Sequence, residues 1–391
     1  MKSILAVIVI ILLSILFFGR STSSQDELVF WTLQMNDFAP YMNKVIDEFE
    51  AQNDIKIKWI DVPFSEGEKR TLASVLSDNP PDFINLNPDF SALLAQRGAL
   101  YEIAEENTQQ LNKSIINSLK YNGKLYSLPW YATSAITIYN KSLLNGQKIP
   151  STYDEMAKIA PKLGAYATFP NITENDTMLR ILNKYGVSIE NINSEHSIEV
   201  FELFKNMYEK GYIPKESVTQ THREALEKYM AEQIVFFQAG ANFLNMIKEN
   251  APSTYAKTDV APQITGKLGQ NDFSLMNFVI PIRAKHKEDA VKFALFLTNY
   301  ENQLELAKLT NVLAVNQKTL NDDYYKKYDD LMSKARVISA KQLNKIEPAL
   351  YTSRNQKEIN TIINTAVQQI LLNKNTTKNI LDDVLKKLNS L

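Results

Sequence analysis

"GKLYSLPWYATSAITIYNK", Gly123–Lys141, places an aromatic pair directly behind Pro129 and ahead of a long apolar, β-branched run. The run reads as a strand. Trp130 and Tyr131 each carry a large apolar area of the kind that goes to a core or an interface. Composition alone favours the core, and the rest of the chain has to say whether another surface competes for their faces.

Upstream, Leu28–Leu33 ("LVFWTL") reads as a buried strand, and Phe38, Met42, Val45, Ile46 and Phe49 follow at helical spacing. Ile55–Val62 alternates like a strand, and Glu68–Leu76 returns to a helical pattern. "PPDFINLNPD" gives a short strand behind two prolines, and Phe90–Arg97 is a helix stopped by Gly98. The order β-α-β-α-β-α predicts a parallel sheet covered on both faces. From Leu143 to Ala256 the pattern is mostly helical, with Glu199–Lys210 ending at Gly211, Arg223–Ala231, and a strand at Ile234–Gly240. Thr254–Gly269 reads as turns, "LMNFVIP" as a further strand, and Tyr324–Leu391 as nearly all helix. Strand patterns that come early and return late, around a helical middle, predict two lobes that the chain crosses more than once.

Composition narrows the function. The chain has 391 residues, 45% hydrophobic and 22% charged, enough apolar area for more than one core. A net charge of −1 with no basic block argues against nucleic acid as a partner. The absence of cysteine excludes disulfides, thiolate nucleophiles, Cys-ligated zinc and iron–sulfur clusters. His196, His222 and His286 stand in no metal-binding spacing and read as surface or capping residues, so neither metal nor cofactor is expected. Lys2 precedes an apolar run from Ile4 to Phe18, which suits an export signal and falls short of the ~20 residues of a comfortable membrane span. Residues 1–25 are expected to be a signal peptide or an uncleaved anchor, placing the protein outside the cytoplasm.

In open α/β sheets ligands bind beyond the carboxyl ends of the strands. That rule delivers Gln34, Met35 and Asn36 from the first strand, Asp61 and Ser65 from the second, and Asn87 and Asp89 from the third. Amides and carboxylates there can hydrogen-bond a hydroxylated ligand. Asn and Asp are equally turn formers and helix N-caps. Trp130 and Tyr131 gain a second reading from the same argument, since flat aromatic faces pack on the C–H face of a sugar ring.

Several segments in order resemble the extracellular solute-binding proteins of ABC transporters, in the sugar-binding, maltose-binding-like group. They are "PPDFINLNPDFSALLAQRGAL", with Asp82 and Gly98 in matching places, the opening stretch, "YMAEQIVFFQAGANFLNMI", "LMNFVIPIRAKHKEDAVKFALFLTNYENQLELAK" and "LTNVLAVNQK". The resemblance spans nearly everything after Gln25. It implies an α/β, two-lobed periplasmic-binding-protein-like fold of type II, each lobe a β-sheet flanked by helices, joined by a multi-strand hinge. Residues 26–132 and 278–313 would form one lobe, and 133–277 and 314–391 the other. It implies a monomer that closes on a mono- or oligosaccharide and hands it unreacted to a membrane permease.

Carried over position by position, Asp89 and Thr133 fall on sugar-contacting acidic positions and Trp31 on an aromatic strand end. Asn242 and Met276 replace stacking tryptophans, and Asn277 keeps the family's asparagine. The expected ligand set is therefore Trp31, Gln34, Asn36, Asn87, Asp89, Trp130, Tyr131, Thr133, Asn242 and Asn277. Two other classes stay open: an exported carbohydrate-active enzyme working with paired carboxylates, and a surface scaffold that keeps the fold without a small ligand, which the two lost tryptophans favour.

Overall fold

The computed structural model describes residues 27–33, 35–170, 172, 176–219, 221–346 and 355–391. The apolar N-terminal segment and Gln34 lie outside the described residues. Eleven strands are present among those described: β1 (Leu28–Leu33), β2 (Ile57–Val62), β3 (Phe83–Leu86), the hairpin β4 (Lys120–Tyr121) and β5 (Lys124–Leu125), β6 (Ser127–Asn140), β7 (Tyr166–Thr168), β8 (Ile234–Gly240), β9 (Thr258–Ala261), β10 (Phe273–Val279) and β11 (Leu313–Ala314). The main sheet runs β2-β1-β3-β10-β6-β8-β7, with β9 and β11 also paired to β6. β1, β2 and β3 are parallel, as the β-α-β-α-β-α pattern predicts.

β6 belongs to both lobes. Its first half, to Ser134, pairs antiparallel with β10 and β11; its second half, from Ala135, pairs antiparallel with β8 and β9. The strand stops at Asn140, whose side-chain oxygen accepts from the backbone N–H groups of Ser142 and Leu143. Around the first half lies a core holding Phe30, Phe83, Trp130, Phe278 and Phe293, flanked by a smaller cluster behind β3 with Leu86, Phe90 and Leu94. Around the second half lie two clusters, one with Tyr139, Phe204, Phe236 and the C-terminal Ile363 and Leu381, the other with Ile136, Phe237 and Val260.

The lobe boundaries differ from expectation late in the chain. Leu275, Ala314, Val315, Tyr325 and Leu343, expected in the second lobe, pack in the first core. The helix Leu331–Gln342 between them lends Ala335 to a second-lobe cluster, so the chain crosses, touches and returns before the last two helices. The stretch read as turns from Thr254 instead contains a helix, Pro252–Lys257, and β9. β9 has four residues, one of them Asp259, too short for periodicity to show; its pairing with β6 creates it.

Trp130 sits in the first core. It is fully buried and stacks on Phe278 at 4.8 Å and 28°. The β6–β10 register shifts between Met276 and Asn277, leaving Trp130 with no partner on β10. Pro129, which cannot donate to a ladder, sits beside that irregularity, where a strand tolerates proline. The Trp130 carbonyl finds its donor elsewhere, in Gln303 Nε2 at 2.7 Å, while Gln303 Oε1 accepts from the Val315 N–H. Trp130 is thus a core residue and not a ligand platform: Leu128, Trp130 and Ala132 all turn into the first core. Trp130→Ala should cost about 3–5 kcal/mol of stability in urea unfolding. Native-like stability in that variant would return Trp130 to the surface.

Candidate functional site

Two-residue spacing along β6 puts Tyr131, Thr133 and Ala135 on one face, a row spanning about 13 Å at ~3.3 Å per residue. Tyr131 is partly buried, edge-on to Trp130 at 5.1 Å, and opposes Met276 across the ladder. Thr133 is exposed opposite the exposed Ser274. Ala135 opens into a cavity of about 170 Å³ beyond the carboxyl ends of β7 and β8, walled also by Tyr153, Thr168, His222, Gln238 and Asp272. A self-contained small-molecule site usually holds roughly 300–1,000 Å³. This cavity is smaller than that.

Its walls mix apolar side chains, Phe169, Pro170 and Ile181 among them, with polar ones that are held in place. Gln238 Nε2 donates to the Tyr153 hydroxyl at 3.2 Å, and Gln238 Oε1 is buried with no partner among the described residues. The imidazole of His222, first residue of the helix His222–Met230, stacks on Phe237 at 5.0 Å and meets Phe243 edge-on. Asp272 stands where the chain re-enters the first lobe: its N–H donates to Gln263 Oε1 at 2.7 Å and its carbonyl accepts from Ser134 Oγ at 3.2 Å. Gln342 joins the same cluster, donating to Ser134 Oγ and the Ala135 carbonyl and accepting from the Gln263 N–H. Strand β6 and the segment Gln263–Asp272, which cross between the lobes, are thus tied to the helix Leu331–Gln342 by buried amides.

The expected residues divide. On the first lobe, Asn36 follows β1 and is exposed, while Asn87 and Asp89 follow β3. Asn87 is an N-cap, its side-chain oxygen accepting from the Phe90 N–H at 2.8 Å, and Asp89 is exposed in the first turn of that helix. Asp61 is occupied by its own chain, accepting from Thr32 Oγ1 and from the N–H groups of Met35 and Asn36. Trp31 is half-buried with the Arg70 guanidinium 5.5 Å from its ring, so one face is covered. Asn277 is fully buried and donates to Ser91 Oγ at 2.8 Å; it braces the helix Pro88–Gln96 and faces no ligand space. Asp82 is likewise structural, its carboxylate accepting from the N–H groups of Val29, Lys285 and His286. On the second lobe Asn242 is exposed just past β8, beside Phe243. Tyr153, Gln238 and Asp272 carry no expectation from the sequence, and His222 is expected there only as a surface or capping residue. Gln238 alone carried a signal, as a polar residue inside the apolar "IVFFQAG".

Residues 44–333 match the bacterial extracellular solute-binding protein family. The chain belongs to this family. A galactooligosaccharide-binding protein of Bacillus subtilis is 23% identical, covering 93% of this chain and 89% of that one. A multiple sugar-binding protein of Streptococcus mutans is 24% identical over 71% of this chain and 73% of its own. The solved cyclo/maltodextrin-binding protein with bound maltotetraose superposes with a TM-score of 0.77 at 18% identity, over 95% of this chain and 98% of that one, a likeness of fold. For a solute-binding protein, an open row on the strand shared by both lobes is where a guest would touch each of them.

Burial raises the Tyr131 hydroxyl from 10.0 to about 12. The fold therefore favours its neutral form, and the stability this supplies is complete below pH about 10 and lost as pH rises through about 12. Tyr131→Phe should flatten that part of the alkaline unfolding curve. An unaltered slope would mean that the ring is solvated.

Proposed function

We propose that this protein captures an oligosaccharide outside the cytoplasm, closing two lobes over it, and delivers it unreacted to an ABC importer. The row Tyr131–Thr133–Ala135 ending in a polar cavity carries this reading, because it offers a sugar one ring to lie on and a rim of hydrogen-bonding groups. Tyr131 supplies the apolar contact in place of Trp130. Thr133, Asn242, Tyr153 and Gln238 meet hydroxyls from one side, and Asn36, Asn87 and Asp89 meet them from the other as the hinge closes. The names of the Bacillus and Streptococcus relatives support a carbohydrate guest.

A ligand that binds only the folded protein stabilises it by about 2.7 kcal/mol at a hundredfold excess over Kd. A thermal-shift screen of galacto- and malto-oligosaccharides should find at least one that raises the midpoint and compacts the protein in X-ray scattering. Midpoint and scattering curve both unmoved by every sugar would remove the proposal. With a bound sugar in hand, Gln238→Leu should weaken binding by about 1–3 kcal/mol by removing a buried polar partner, seen in calorimetry as a higher Kd with an unchanged free-protein melting point.

A further inference from the structure

Lys184 follows the helix Thr177–Asn183 and is fully buried, which lysine tolerates only when paired. Its ammonium donates to the Asp272 carboxylate and to Gln263 Oε1, the latter at 3.4 Å, so it grips both ends of the loop Gln263–Asp272. The middle of that loop is held as well, because the Lys184 carbonyl accepts from the Leu268 N–H at 3.0 Å. Gly266 passes so near that a Cβ there would stand 2.5 Å from the same carbonyl. The loop is wrapped on one lysine. At its end the Asp272 side chain keeps 31% of its surface exposed and walls the cavity beside Ala135 and Gln238.

We propose that Lys184 is a positioning residue of the cavity, holding the Asp272 carboxylate in place as the charge-assisted acceptor for hydroxyls of the guest. This rests on the carbohydrate reading above. A carboxylate accepts hydroxyl hydrogen bonds about twice as strong as those to a neutral oxygen, but one set in a half-buried wall without compensation is costly. Lys184 supplies the compensation from underneath, where its own ammonium is out of reach of the guest. The Asp272 backbone is tied by Gln263 and Ser134, and the lysine holds its side chain.

The test compares Lys184→Met, Lys184→Arg, Asp272→Asn and the double variant Lys184→Met/Asp272→Asn in the full chain, titrated with maltotetraose and galactotriose. The double variant, with both charges gone, separates binding from folding. Lys184→Met and Asp272→Asn should each weaken the accepted probe tenfold or more, the double variant should be no worse than Asp272→Asn, and Lys184→Arg should recover part of the loss. Wild-type affinity in the double variant overturns the proposal. If the wild type takes neither probe, the carbohydrate reading is what fails, and a ligand-free crystal structure of Lys184→Met still decides: a carboxylate swung out of the wall supports the role of Lys184, and one left in its wild-type position refutes it.

Discussion

Everything in this fold hangs on the continuity of one strand. β6 runs fourteen residues without a break, and its ladder partners change between Ser134 and Ala135, from β10 to β8. A strand in two sheets fixes the register of both, since slipping it by one residue would turn every side chain of both cores to the wrong face. The two lobes are independent in what they bury and dependent in how they are hung. A sheet can bend or twist at such a junction while both ladders stay intact, which suits a fold that must open and shut.

The junction is also where buried polar groups collect. Ser134, Gln263, Asp272 and Gln342 hydrogen-bond one another at the crossing. An apolar packing there would be indifferent to small rotations, because dispersion contacts are non-directional. Hydrogen bonds are directional, so an amide network at the crossing favours discrete arrangements of the lobes over a continuum. Tying that network to Asp272, a wall of the cavity, places the cavity and the crossing within a single residue of each other.

How far the sequence could be read follows from which signals are local. The strands β1, β3 and β8, and the glycine-terminated helices before Gly98 and Gly211, are periodic patterns with stop signals, and both glycines adopt the positive φ a stop requires. The two-lobe plan was legible for the same reason, in the return of strand pattern after a helical middle. Trp130 was not legible. Composition leans to the core, but an aromatic at a strand start serves a core or a ligand, and only the turning of Leu128, Trp130 and Ala132 into the first core decides between them. Asn277 misled in the opposite sense: its match to a family motif is real, yet here its amide braces Ser91. Asn87 shows the ambiguity in one side chain, since capping a helix uses its oxygen and leaves its nitrogen for other work. His222 read only as a surface or capping residue and Asp272 carried no signal, because a single titratable residue next to a loop acquires meaning only from what the fold sets beside it.

The size of the cavity bears on how the whole protein works. At about 170 Å³ it encloses too little to desolvate an oligosaccharide, and Thr133 and Ser274 stand open beside it. On the proposed reading, affinity for an extended guest would come from surface that the first lobe contributes on closing, with Asn36, Asn87 and Asp89 at the strand ends. A guest that touches both lobes only when they meet has, by that fact, a differential affinity for the closed state, and differential affinity is the one quantity that can shift the equilibrium between open and closed. Splitting the site across β6 thus makes recognition and closure the same event. A membrane partner that distinguishes closed from open would then be reading occupancy, with no second signal required.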